Sequence, residues 1–226
     1  MQFGIFTVGD VTTDPTTGRT PTEHERIKAT VAIARKAEEV GLDVVAVGQH
    51  HNPPFVASSP TTTMAYIAAQ TERIILSTAT TLITTNDPVK IAEDYAMLQH
   101  LAGGRVDLMM GRGNMGPVYP WFGQDIRNGI ALAYENYALL RRLWREDVVD
   151  WEGRFRTALT GFTSTPPLSA TDSARAWLSL ACANGSAAMI DLLLRAGADP
   201  NLAGENGAKF AIGRYRQEDL LLIKEL

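Results

Sequence analysis

Apolar and polar positions alternate along the first two-thirds of the chain in two rhythms. Short apolar runs at Phe3–Val8, Asp43–Val47, Ile74–Thr80 and Val106–Met110 are bounded by Gly, Asp, Asn or Pro, which reads as strands closed by turns. Longer amphipathic stretches fill the intervals. A helix is predicted over Thr22–Val40, where Thr22 and Glu25 have capping-box spacing and Gly41 stands at the expected end. A second is predicted near Pro60–Thr71. A third starts after Asp87-Pro88, a cap residue followed by proline in the first turn, and stops at Gly103-Gly104. A fourth runs from about Asp125 to Arg145. These make four βα units around a parallel sheet, and the apolar character of both faces of the later strands requires helices on one side and filled core on the other.

The texture then changes. Phe155–Ala170 is rich in Thr, Ser and Pro, and Thr165-Pro166-Pro167 is its most linker-like point. Beyond it, Ala174–Ala183 and Ser186–Ala196 carry helical patterns separated by Asn184-Gly185 and closed by Gly197-Ala198-Asp199-Pro200-Asn201, as in two short antiparallel helices. The expected organisation is an α/β unit over residues 1–165, a linker over 166–172 and helices over 173–226.

Composition narrows the partners. The 226 residues are 45% hydrophobic and 20% charged, which places the chain among folded globular proteins. Lys and Arg number 21 against 25 Asp and Glu, a net charge of −4, so no general electrostatic hold on nucleic acid or anionic membrane is expected. The single cysteine, Cys182, excludes an intrachain disulfide and a multi-cysteine zinc site. The first residues show neither an export signal nor an apolar anchor, so the expected location is cytoplasmic. His24 and His100 fall on predicted helices without ligand company at helical spacing, and no metal is expected.

Chemistry concentrates where parallel strands end, because ligands of α/β sheets bind at the carboxyl ends of the strands. There the chain places Gly48-Gln49-His50-His51-Asn52, Thr80-Thr81 and Gly111-Arg112-Gly113-Asn114. His50 and His51 read either as hydrogen-bonded caps of the sheet or as functional groups. Arg112 lies between glycines that let backbone approach a planar or anionic ligand, so it reads as a binding residue rather than a surface ion pair. The glycine spacing matches neither the dinucleotide fingerprint nor the P-loop.

Phe3-Gly4-Ile5-Phe6, Ala37-Glu38-Glu39-Val40-Gly41-Leu42-Asp43, Gly48-Gln49-His50-His51-Asn52, Leu76-Ser77-Thr78-Ala79-Thr80, Asp87-Pro88-Val89-Lys90-Ile91-Ala92-Glu93-Asp94 and Gly104-Arg105-Val106-Asp107 together resemble the N-terminal part of bacterial luciferase-like, FMN-dependent monooxygenases. The resemblance spans about residues 1–165. It implies an α/β fold with a partial TIM-type barrel of about four βα units, and an enzyme that uses reduced FMN and O2 to oxygenate a small organic substrate such as an aldehyde. It further implies His50 as the catalytic histidine that moves protons, Arg112 with Gly113 at the flavin pyrimidine edge, and Thr78, Ala79 and Thr80 against the flavin ring, where the family often has a non-proline cis peptide. The family's usual Glu before the two histidines is here Gln49, which removes a carboxylate that could hold an imidazole charged.

From about Ser173 the chain resembles an ankyrin repeat, through Leu178-Ser179-Leu180-Ala181-Cys182-Ala183-Asn184-Gly185 and Ile190-Asp191-Leu192-Leu193-Leu194-Arg195-Ala196-Gly197-Ala198-Asp199-Pro200-Asn201. On this reading the later barrel units, and with them much of the flavin phosphate site, are replaced, so weak or absent FMN binding and an impaired enzyme are expected. The alternative is a non-catalytic interaction module that presents the ankyrin-like helices on a half-barrel scaffold. An open half-barrel also exposes sheet edges and an apolar face, for which a second copy, a partner protein or the C-terminal helices are the expected cover.

Overall fold

The computed structural model describes residues 2–166 and 177–180. Strand β1 (Gly4–Thr7) leads to helix α1 (Glu23–Glu39), β2 (Val44–Val47), α2 (Pro60–Ala68), β3 (Ile75–Thr78), a two-residue β4 (Thr81–Leu82), α3 (Pro88–Leu101), β5 (Val106–Gly111) and α4 (Gly129–Leu143). The sheet runs in the order β1-β2-β3-β5-β4, with every pairing parallel. The four predicted βα units are therefore present, and among the described residues the sheet is open rather than a closed barrel.

Local chemistry places the helix starts. The Thr22 side chain accepts the Glu25 N–H while Glu25 accepts the Thr22 N–H, completing the capping box of α1. Asp87 accepts the Val89 N–H ahead of Pro88 at the start of α3. Gly41 closes α1 at φ +88°, a left-handed value that glycine adopts without a Cβ penalty. The predicted fourth helix begins later than expected: Asp125 caps a short 3-10 turn over Ile126–Asn128, and α4 starts at Gly129.

The core lies between sheet and helices. Val45, Leu76, Val106 and Leu108 from the strands meet Ala34, Met64, Ile67, Ile91, Leu139 and Leu140 from the helices, all 3% exposed or less. At the end of the sheet away from the strand mouths, Arg105 donates to the carbonyls of Thr71, Ile74 and Ala102, and Glu38 accepts the N–H groups of Arg73 and Ile74. That end is tied by charged groups whose hydrogen-bonding capacity is spent on backbone. On the sheet face opposite the helices, Phe6, Ala46, Ser77 and Asp107 stand in one register row, and Phe6 is 57% exposed.

Three features depart from the sequence reading. The predicted strand Ile74–Thr80 is interrupted after Thr78 and resumes at Thr81. An antiparallel hairpin of β6 (Val149–Trp151) and β7 (Leu159–Phe162), absent from the expected elements, follows α4. Within the helix expected over 174–183, the described residues Trp177–Leu180 form instead a strand, β8, paired in parallel with Asp107–Met110 of β5. The edge of β5 not paired with β3 and β4 offers a row of backbone donors and acceptors, which this segment completes as a ladder. The remainder of the ankyrin-like segment, 173–176 and 181–226, lies outside the described residues, as does the linker beyond residue 166. Among the described residues no helix is long and apolar enough to cross a membrane.

Candidate active site

The mouth of the sheet is built around the break between β3 and β4. Ser77 pairs with Asp107 and Thr81 with Met110, so residues 78–80 stand opposite only Leu108 and Met109. The extra residue is a bulge, and it contains a cis peptide between Ala79 and Thr80, where the family resemblance leads one to expect it. The Thr78 hydroxyl replaces the missing ladder bonds: it donates to the Met109 carbonyl at 2.6 Å and accepts the Met109 N–H at 3.0 Å. Of the three residues expected against the flavin ring, Thr78 is thus fully buried and turned into the sheet, whereas Ala79 and Thr80 are half-buried.

Neighbouring strands close around this bulge through backbone. The Gln49 N–H donates to the Thr80 carbonyl at 3.2 Å and the Ala79 N–H to the Val47 carbonyl at 3.0 Å. A Cβ on Gly48 would stand 3.0 Å from the Ala79 carbonyl oxygen; one on Gly111 would overlap the Thr80 hydroxyl and stand 3.0 Å from Thr80 Cβ. Glycine at both positions is what lets three strand ends converge.

Arg112 follows directly. Its carbonyl accepts from the hydroxyls of Thr84 at 2.5 Å and Tyr119 at 2.8 Å, and Tyr119 also donates to the Gly113 carbonyl at 3.2 Å. Gly113 takes φ +73°. The Arg112 guanidinium lies beside the first residue of α4, where a Cβ on Gly129 would come within 3.3 Å of Nη1 and 2.9 Å of the Tyr119 hydroxyl. Thr84, Tyr119 and Gly129 were not singled out by sequence. A buried tyrosine seven residues after Arg112 is the one trace they leave there.

The histidines occupy the loop after β2. The His50 N–H donates to the Ala57 carbonyl at 3.0 Å, and its ring stacks on Phe55 with centroids 4.2 Å apart. His51 packs against Phe122 at 4.5 Å. Burial lowers the pKa of both imidazoles, and His50 lowers that of His51 further, so both favour the neutral form. Gln49, 5% exposed, reaches from the same loop to the Leu82 N–H at 2.8 Å and to His51 Nε2 at 3.0 Å. The structure therefore brings Ala79, Thr80, Arg112 and Gly113 to one mouth through shared backbone contacts, with the loop carrying His50 fastened to the same bulge. Among the described residues no cluster of His, Cys, Asp and Glu could hold a metal ion.

Comparison with known proteins agrees with this architecture. The luciferase-like monooxygenase family matches residues 1–215. The chain belongs to that family. An uncharacterized protein of Bacillus subtilis, YwcH, is 29% identical over 191 residues, covering 84% of this chain and 51% of that protein. The monooxygenase RslO1 from Streptomyces bottropensis superimposes with a TM-score of 0.75 at 25% identity, over 97% of this chain and 69% of that one. The oxygenating constituent of 3,6-diketocamphane monooxygenase from Pseudomonas putida, solved in complex with FMN, shares the fold at TM-score 0.65 and 18% identity, over 80% of this chain and 51% of that one. The chain thus spans about half the length of YwcH. The family match continues through the segment expected to be ankyrin-like, and it supports neither an impaired barrel nor an ankyrin-based interaction role.

Proposed function

We propose that this luciferase-like chain holds reduced FMN at its strand mouth and oxygenates a small organic substrate with O2. The observation that carries the reading is the mouth itself: a small-residue bulge at Ala79–Thr80 beside a positioned cation, Arg112, with neutral imidazoles on the adjoining loop. The residues fit the cofactor. Ala79 and Thr80 present short side chains and backbone to a planar ring, and Arg112 supplies positive charge for an electron-rich, anionic ligand. Reduced flavin, when bound, supplies the electrons that activate O2.

The chain's own residues do the remaining work. Thr84 and Tyr119 hold the Arg112 backbone, so its side chain springs from a fixed point at the mouth and less backbone ordering is left to occur on binding. Thr78 anchors the bulge from beneath, and the left-handed Gly113 turns the chain away after Arg112. His50, kept neutral by burial and held flat on Phe55, accepts a proton from the substrate and returns it. Phe55 and Phe122 put apolar surface against the two imidazoles.

Titration of the purified chain with FMN tests the cofactor assignment. Saturable quenching of flavin fluorescence is expected. Arg112→Ala weakens it about 10- to 100-fold, the effect of losing one charge-assisted contact. Absence of quenching in the parent, or equal affinity in the variant, overturns the assignment.

A further inference from the structure

We infer that Gln49 is a positioning residue that sets the tautomer of His51, holding it neutral with the proton on Nδ1 and a bare Nε2. The Leu82 carbonyl can only accept, so the Asn86 side-chain nitrogen, 2.7 Å away, is the donor there. The Leu82 N–H can only donate, and it donates to Gln49 Oε1 at 2.8 Å, while Asn86 Nδ2 donates to the same oxygen at 3.2 Å. Two donors on one atom define it as the carbonyl end of the Gln49 amide.

The other end, Nε2, is then the donor, and it lies 3.0 Å from His51 Nε2. His51 Nε2 must accept. A proton on that nitrogen would set N–H against N–H2 in a pocket where Gln49 is almost fully buried, so both the imidazolium and the other neutral tautomer lose the bond. Among the described residues, the groups in contact with His51 are the Gln49 amide and the Phe122 ring, and neither is an anion that would favour the imidazolium. The titratable neighbour whose charge bears on His51 is His50, and its charge opposes a second one.

The consequence for chemistry is that His51 keeps one ring donor, Nδ1–H, and stores no extra proton at neutral pH. The replacement of the family's usual Glu by Gln49 reverses the polarity of this contact. A carboxylate would accept from Leu82 and Asn86 as the amide oxygen does, but its second oxygen would attract an Nε2–H and favour the imidazolium. The inference concerns the free protein and stands apart from the flavin reading.

The experiment is long-range 1H–15N correlation of the four histidines in uniformly labelled protein as a function of pH, with His51→Gln to identify the His51 signals. In the parent at neutral pH, His51 Nε2 is expected to resonate as an unprotonated, pyridine-type nitrogen, the opposite of the tautomer that histidine favours in water. In Gln49→Glu the His51 midpoint is expected to rise by about one unit or more relative to the parent. A protonated His51 Nε2 in the parent at neutral pH overturns the inference, as does a His51 midpoint in Gln49→Glu no higher than in the parent. Should Gln49→Glu fail to fold, the parent tautomer decides alone. FMN titration of the same samples reports separately on the cofactor.

Discussion

Thr78→Val tests whether the bulge at the mouth is held by a hydroxyl rather than by packing. Valine has nearly the volume of threonine and suits a strand, so the substitution removes a donor and an acceptor while leaving the space filled. Thr78 is 0% exposed, and its hydroxyl is bonded to both the N–H and the C=O of Met109. Each backbone group left unpaired at half-buried Met109 costs about 1–2 kcal/mol, so Thr78→Val is expected to destabilise by about 2–4 kcal/mol. Thr78→Ser keeps both bonds and loses one methyl group, worth about 1 kcal/mol. Urea unfolding followed by tryptophan fluorescence and by far-ultraviolet circular dichroism measures both variants. With a slope of about 1–3 kcal/mol per molar urea, the valine midpoint falls by about 1–2 M and the serine midpoint by much less. A valine variant within about 0.5 kcal/mol of the parent, or more stable than the serine variant, refutes the hydroxyl's role.

Asp107 faces the side of the sheet away from the helices, where its Oδ2 accepts from Ser77 at 3.0 Å while Oδ1 is buried with no hydrogen-bond partner among the described residues. Burial raises its pKa above the ordinary 3.8, against a smaller lowering by the Ser77 bond. An acid raised in the folded state contributes stability that is complete below its unfolded pKa and is lost as pH rises through the folded value. Asp107→Asn abolishes that loss, so its melting temperature relative to the parent should climb between pH 4 and pH 8; a pH-independent difference refutes the assignment. Gly111→Ala drives a methyl group into Thr80 and is expected to cost about 1–3 kcal/mol. Combining it with Thr80→Gly should recover about 1 kcal/mol or more in a double-mutant cycle, and strictly additive effects would show that the two residues do not meet.

Parts of the site were legible as a pattern. Strand ends rich in Gly, His, Arg and Thr identified the mouth, because a parallel sheet exposes polar backbone and side chains at its carboxyl edge. The roles of individual residues were less visible. Thr78 and Thr80 lie two apart in one motif, yet one hydroxyl is consumed by β5 and the other side chain fills the space above Gly111. Gln49 could be noticed as a departure from the family's Glu, but its bonding depends on Leu82 and Asn86, more than thirty residues away. Arg112 has a sequence signal of its own, a charge between two glycines, whereas Tyr119 and Thr84, which hold its carbonyl, carry no motif.

The linear pattern determined the elements that depend on near neighbours: the capping box at Thr22, the Asp87-Pro88 helix start, the Gly41 stop and the apolar runs that became β1, β2, β3 and β5. These are decided within a few residues, by backbone groups and side chains that meet wherever the chain folds. Tertiary structure alone decided the break after Thr78 and the strand at Trp177–Leu180. Both answer to the ladder of β5: one side meets it with an extra residue and a threonine hydroxyl, the other completes its open edge against a helical pattern. A strand's hydrogen bonds are made with chain remote in sequence, so neither its register nor its partner is written in the segment that forms it.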